Sequence, residues 1–159
     1  IESRGAEFFS RCSITLVAPA PVREKNIGIS VHSSAEATAK AIPGMKLKKI
    51  VLFGTKYTIE GSYSKDTLRK YGIETIIPER GEREAINSII FNELCLGILK
   101  ESSREILKNI ISKLQSKGAG GIVLGCTEIP LLVKQEDASI QVFDTMTIHA
   151  VSAAELALG

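Results

Sequence analysis

The sequence predicts an α/β fold, a parallel sheet with helices on both faces. Three observations predict it. From about residue 48 onward, short β-rich runs alternate with segments of helical periodicity, the pattern of strand–helix–strand units. The run Ile122-Val123-Leu124 is apolar throughout rather than alternating, as in a parallel strand buried on both sides. Apolar residues make up 44% of a 159-residue chain, enough to build the core of one ordinary domain, or of one domain with part of another.

The elements follow in order. Residues 1–46 carry local signals that disagree. Phe8-Phe9 starts an apolar run that Ser10-Arg11 breaks where a strand should continue, and Pro19 and Pro21 forbid a regular helix after it. Residues 35–42 are alanine-rich and fit a short helix ended by Pro43-Gly44. Residues 48–55 form a β-rich run with a Gly54-Thr55 exit. Thr58 or Ser62 is placed to cap a helix that carries Leu68 and Tyr71 and stops at Gly72. Residues 73–77 read as a second strand ended by Pro78. Residues 82–96 put Ala85, Ile86, Ile89, Ile90 and Leu94 on one helical face. Ser102-Ser103-Arg104-Glu105 has the form of a capping box for a helix bearing Ile106, Leu107, Ile110, Ile111 and Leu114 and ended by Gly118. After the Ile122 strand come a strand over residues 140–143 and a closing helix with Ile148, Val151, Ala154 and Leu156.

Composition excludes several function classes. The formal net charge is +2 with acids and bases interleaved, so no basic stripe invites nucleic acid, and aromatics at 5% offer few stacking platforms. The longest apolar stretches fall far short of a membrane span. The first residues contain no signal-peptide core. Three widely spaced cysteines make neither a disulfide framework nor a metal-binding pair. These features predict a reduced, cytoplasmic protein with no nucleic-acid or membrane partner.

Chemistry concentrates at Gly125-Cys126-Thr127-Glu128. A strand that stops at Gly125, followed by Pro130 in a helix's first turn, puts Cys126 at the carboxyl edge of the sheet. Backbone N–H groups at a helix start favour negative charge, which predicts a thiol that ionises readily and serves as base or nucleophile. The competing reading is a buried cysteine acting as a small hydrophobe. Thr127 and Glu128 favour the functional reading, because core strands rarely finish with two hydrogen-bonding side chains.

Several motifs together resemble the aspartate/glutamate racemase family. They are Gly125-Cys126-Thr127-Glu128-Ile129-Pro130-Leu131-Leu132, Gly54-Thr55-Lys56-Tyr57-Thr58, Phe143-Asp144-Thr145 with His149-Ala150, and Glu93-Leu94-Cys95-Leu96-Gly97. The resemblance runs in register from about Ala35 to the end. It implies two flavodoxin-like α/β domains facing each other across a cleft. On that pattern, residues 1–46 are a remnant of a mostly absent first domain, and residues 47–159 are the second domain with its C-terminal helix. It also implies interconversion of aspartate or glutamate enantiomers with no metal or organic cofactor. An acidic amino acid is the expected small-molecule partner and a homodimer the candidate assembly. One acid/base group would take the α-proton from one side of the carbon while its mate returns one on the other. Cys126 matches the second-domain group, and Thr127, Thr55, Thr15 and Glu128 fall at substrate-binding positions.

The first-domain motif departs from the family. Cys12-Ser13-Ile14-Thr15 falls where Cys-Asn-Thr or Thr-Asn-Thr is expected, so Ser13 takes the acid/base position and Ile14 replaces the substrate-binding Asn. A register shifted by one residue would make Cys12 the partner thiol instead. Two other functions stay open: an inactive or carboxylate-binding remnant, and a one-cysteine decarboxylase or isomerase of the same superfamily. Among the remaining residues, His149 reads as structural or as facing the substrate carboxylate, and His32 as a surface imidazole in a Ser-rich turn. Cys95 reads as core packing, and Asp144 as either a cleft residue or a helix cap.

Overall fold

Four short strands pair in parallel to form the main sheet. The computed structural model describes residues 8–11, 30–42 and 47–159. Strand β1 (Phe8–Arg11) pairs with β2 (Ser30–Ser33) in a two-stranded parallel sheet, with Ser10 opposite His32. Helix α1 (Ser34–Ala41) follows. The main sheet holds β3 (Lys49–Phe53), β4 (Glu74–Ile76), β5 (Gly121–Leu124) and β6 (Gln141–Asp144) in the order β4-β3-β5-β6, all parallel. Helices α2 (Lys56–Glu60) and α3 (Tyr63–Lys70) join β3 to β4, while α4 (Arg80–Asn92) and α5 (Glu101–Ser116) join β4 to β5. The short α6 (Ile129–Leu132) precedes β6, and α7 (Thr145–Leu158) closes the described chain.

The two central strands, β3 and β5, are buried on both sides, as their continuous apolar runs require. Val51 and Phe53 of β3 and Ile122 and Leu124 of β5 pack with Ile86, Ile90, Leu107 and Ile111 of α4 and α5. Ile50, Leu52 and Val123, one residue out of phase, pack on the other face with Ala39 of α1, Leu68 of α3 and Phe143. The period of two along each strand therefore feeds two cores, with helices on both faces of one sheet. The predicted fold class is the observed one.

Topology places the site. From β3 the chain moves outward to β4; it then crosses back to β5 on the other side of β3 and continues outward to β6. Between β3 and β5 the strand order therefore reverses, and in open parallel sheets the crevice beyond the strands' carboxyl ends at such a point binds ligands. The segments leaving these two ends are Gly54-Thr55 and Gly125-Cys126. They approach closely: the Gly125 N–H donates to the Phe53 carbonyl at 2.7 Å, and a Cβ on Gly125 would lie 2.9 Å from the same oxygen.

Several local expectations are corrected. Ser10 and Arg11 continue the first strand rather than break it, because β2 supplies a parallel partner. His32 belongs to β2, not to a surface turn. Of the two cap candidates, Thr58 lies inside α2, whose cap is Thr55, while Ser62 holds the N-cap position of α3 without a side-chain cap bond. The helix expected over residues 82–96 ends at Asn92; Glu93 leaves helical geometry, and Leu94–Leu96 form a separate 3₁₀ turn closed by Gly97 with φ of 72°. Helix α5 begins at Glu101, ahead of the expected capping box, and Ser103 Oγ donates to Glu93 instead. Val151, Ala154 and Leu156 of α7 are exposed; its buried residues are Thr145 and His149, on a helix that packs against α1. No described helix is long and apolar enough to cross a membrane.

Candidate active site

The crevice beyond β3 and β5 is a cavity of about 580 Å³. Its walls include Thr55 from the β3 exit, Cys126, Thr127 and Glu128 from the β5 exit, Cys95 from the 3₁₀ turn, His149 from α7, and Ser10 from β1. Cys126, Thr127, Glu128 and Thr55 are thus brought together. Cys12, Ser13, Ile14 and Thr15 lie outside the described residues.

Each wall residue has a local cause. Thr55 is buried and turned inward because its Oγ1 accepts the Thr58 N–H at 3.2 Å, capping α2, and lies 3.1 Å from Thr58 Oγ1. The Lys56 N–H is held by Asn87 Oδ1 at 2.9 Å, which ties the Thr55 loop to α4. Cys126 is half-buried between β5 and α6, where Pro130 sits in the first turn. Its Sγ–H donates to Glu128 Oε2 at 2.8 Å. Thr145 Oγ1 donates to the Leu124 carbonyl at 2.7 Å and fastens the start of α7 to the end of β5. Asp144 caps α7, accepting from the Met146 N–H at 3.0 Å and the Thr147 hydroxyl at 2.7 Å, so its cap role is the one realised.

The electrostatics overturn one expectation. Burial first, and then the hydrogen bond to Glu128, push the Cys126 thiol up to about 12. A helix of four residues has little dipole to offer, while the neighbouring carboxylate opposes a second negative charge. Cys126 rests as a thiol. Burial works against ionised Glu128, but hydrogen bonds from Cys126 and Thr127 outweigh it, and its carboxyl stays below the ordinary value. Cys95 is not core packing: it is exposed, and partial desolvation followed by the Glu128 charge pushes its thiol up.

A family model described as Asp/Glu/Hydantoin racemase matches residues 2–153. The chain belongs to this racemase family. It is 28% identical over 126 residues to a glutamate racemase from Histophilus somni, an alignment covering 79% of this chain and 45% of the relative. The chain therefore spans about half the length of that curated relative. Its backbone superposes with a TM-score of 0.95 on the crystal structure of a candidate Asp/Glu racemase from Yersinia pestis, 45% identical, covering 99% of this chain and 69% of the other. An aspartate racemase homologue from Pyrococcus horikoshii gives a TM-score of 0.89 at 35% identity, covering 99% of this chain and 70% of the other.

In this racemase-family chain, sequence reasoning missed two cavity features. One is Ser10, whose Oγ lies 3.1 Å from His149 Nε2; nothing in a broken Phe-Phe-Ser-Arg run signals it. The other is the pairing of His149 with His32, whose rings stack at 4.7 Å and 16°. Residues 32 and 149 lie far apart in sequence, so no local pattern signals the pair. The Cys126–Glu128 bond makes a separate prediction. Glu128→Gln removes the charge that opposes the thiolate, so the Cys126 pKa should fall from about 12 towards its ordinary 9.0. Peptide-resolved iodoacetamide labelling at pH 8 should then accelerate roughly tenfold for each unit recovered. In the parent, labelling at Cys126 should keep climbing with pH beyond 9.0 without levelling. Unchanged labelling in the variant would show that Glu128 does not hold the proton.

Proposed function

We propose that the cavity removes and returns the α-proton of an acidic amino acid, aspartate or glutamate, without an organic cofactor. The observation that carries this reading is the placement of Cys126 and Thr55 at the carboxyl ends of adjacent strands, on one cavity, in a chain of the racemase family. An α-proton is weakly acidic, so the reaction needs an acid/base group within reach and support for the charge that moves into the carboxylate. Cys126 is the proton carrier. Thr55 and Thr127 are the hydroxyls that bind the carboxylate, and Glu128 holds the thiol hydrogen until substrate arrives. Ser13 and Thr15 are the residues that the family motif nominates for the opposite side. The names of the relatives, a glutamate racemase and an aspartate racemase homologue, support these two substrates.

An NMR panel in D2O tests the reading, with L-aspartate, L-glutamate, maleate and an arylmalonate as substrates. Deuterium should enter the α-position of one or both amino acids. Isomerised maleate or decarboxylated arylmalonate without amino-acid exchange would replace a racemase with a one-thiol isomerase or decarboxylase. Binding of the amino acids with no turnover of any kind would leave a carboxylate-binding module.

A further inference from the structure

We propose that Phe91 and Met146, with Ala150 and Ala153, form a subsite for an uncharged substrate side chain, so that the cavity also takes neutral amino acids with apolar side chains. The inference rests on the α-proton reading of the same site and extends it beyond aspartate and glutamate.

The subsite comes from two helices. Met146, His149, Ala150 and Ala153 of α7 all line the cavity. Residues spaced by three and four share one helical face, so a single stripe of α7 is presented there, and apart from His149 it is apolar. The last turn of α4 supplies Ile90 and Phe91 to the same cavity. Ile90 is a core residue, but Phe91 is 52% exposed and Met146 48%. Large apolar side chains left half in water gain when a ligand's apolar group covers them.

A second carboxylate on the substrate meets the opposite conditions. Among the described residues lining the cavity there is no lysine or arginine. The ionised side chain there is Glu128: burial disfavours its charge, but hydrogen bonds from Cys126 and Thr127 keep its carboxyl below the ordinary value. His149 does not supply a cation. It is buried, its Nε2 lies 3.1 Å from Ser10 Oγ and 3.4 Å from the His32 carbonyl, and burial keeps the imidazole below its ordinary value, so it rests neutral. Desolvating a carboxylate without a cationic partner is costly, and a like charge on the same wall adds to the cost. An uncharged side chain meets neither penalty. The proton chemistry does not depend on that choice, because the α-carboxylate that Thr55 and Thr127 would hold is common to every α-amino acid.

Exchange of the α-proton in D2O is measured for L-aspartate, L-glutamate, L-alanine, L-leucine and L-methionine, in the parent, Phe91→Ala, Met146→Ala and Phe91→Lys. In the parent, leucine or methionine should match or exceed the acidic pair. One methylene in a hydrophobic pocket is worth about 10-fold to 200-fold in specificity. Phe91→Ala and Met146→Ala should therefore each lower methionine exchange by about 10-fold or more relative to alanine. Phe91→Lys places a cation in the last turn of α4, where the helix tolerates it, and should raise the ratio of glutamate to methionine exchange. All of these replacements are at half-exposed positions, and two different sites are changed, so one failure to fold leaves the other variant to decide. Leucine and methionine both slower than the acidic pair would overturn the subsite and leave the racemase reading in force. So would equal effects of Phe91→Ala and Met146→Ala on methionine and alanine. A parent chain that exchanges no amino acid at all overturns the racemase reading itself, and this extension with it.

Discussion

Replacing Cys126 by alanine is expected to slow enantiomer interconversion by about 100-fold to 10,000-fold, the range over which a positioned acid/base group contributes. The thiol sits at the end of β5, where the strand order reverses, and it is the proton donor bonded to Glu128 on that wall. Alanine keeps Cβ and the backbone turn but leaves nothing to give or take a proton there. The fold should survive, because the change removes one sulfur from a half-buried position and one hydrogen bond, at a cost of about 1 kcal/mol. For a chain of this size that is a fall of about 2–4 °C in Tm. Chiral chromatography of L-aspartate and L-glutamate incubations measures the rate, and a melting curve separates loss of chemistry from loss of fold. Interconversion by the variant at the parent's rate would remove Cys126 from the mechanism. Cys126→Ser should not rescue it, since a hydroxyl beside the Glu128 carboxylate is a far weaker acid than a thiol.

What was legible in the sequence was what burial dictates locally. Ile50 to Phe53 and Ile122 to Leu124 read as strands because a strand covered on both faces has no polar side to interrupt its run. Gly54-Thr55 and Gly125-Cys126 read as strand exits for the same reason, and two such exits already located half of the candidate site. Features set by distant partners were not legible. β1 exists because β2 pairs with it across a gap in sequence, and its Ser10 and Arg11 look like a break until that partner is known. Helical period carried past Asn92 put Cys95 in the core; the turn at Glu93 instead delivers it to the cavity wall. The Cys126 thiol was misjudged because a strand-to-helix junction shows neither the length of the helix nor where the Glu128 carboxylate turns. The four-residue helix offers little dipole, and burial first, then the Glu128 carboxylate, act against the thiolate.

Phe53→Ala should be the most damaging single substitution for stability. Phe53 is fully buried, at 0% exposure, and packs in the core shared with α4 and α5. It is also the last residue of β3, paired with Leu124, and its carbonyl takes the Gly125 N–H at 2.7 Å. Removing the ring opens a cavity beneath both exits that carry the site. Truncating a buried Phe costs about 3–5 kcal/mol, because neighbours collapse only partly into the space. That predicts a fall of about 6–20 °C in Tm. Activity should fall further than the unfolded fraction explains, since Thr55 and Cys126 depend on the same pair of strand ends for their spacing. Leu158→Ala is the control: at 88% exposure its loss should change stability by less than about 0.5 kcal/mol. Thermal melts monitored by far-ultraviolet circular dichroism, followed by exchange assays well below the variant's Tm, separate the two effects. A Phe53→Ala variant that melts with the parent would mean that the β3–β5 junction is held by its backbone bonds rather than by the ring beneath it.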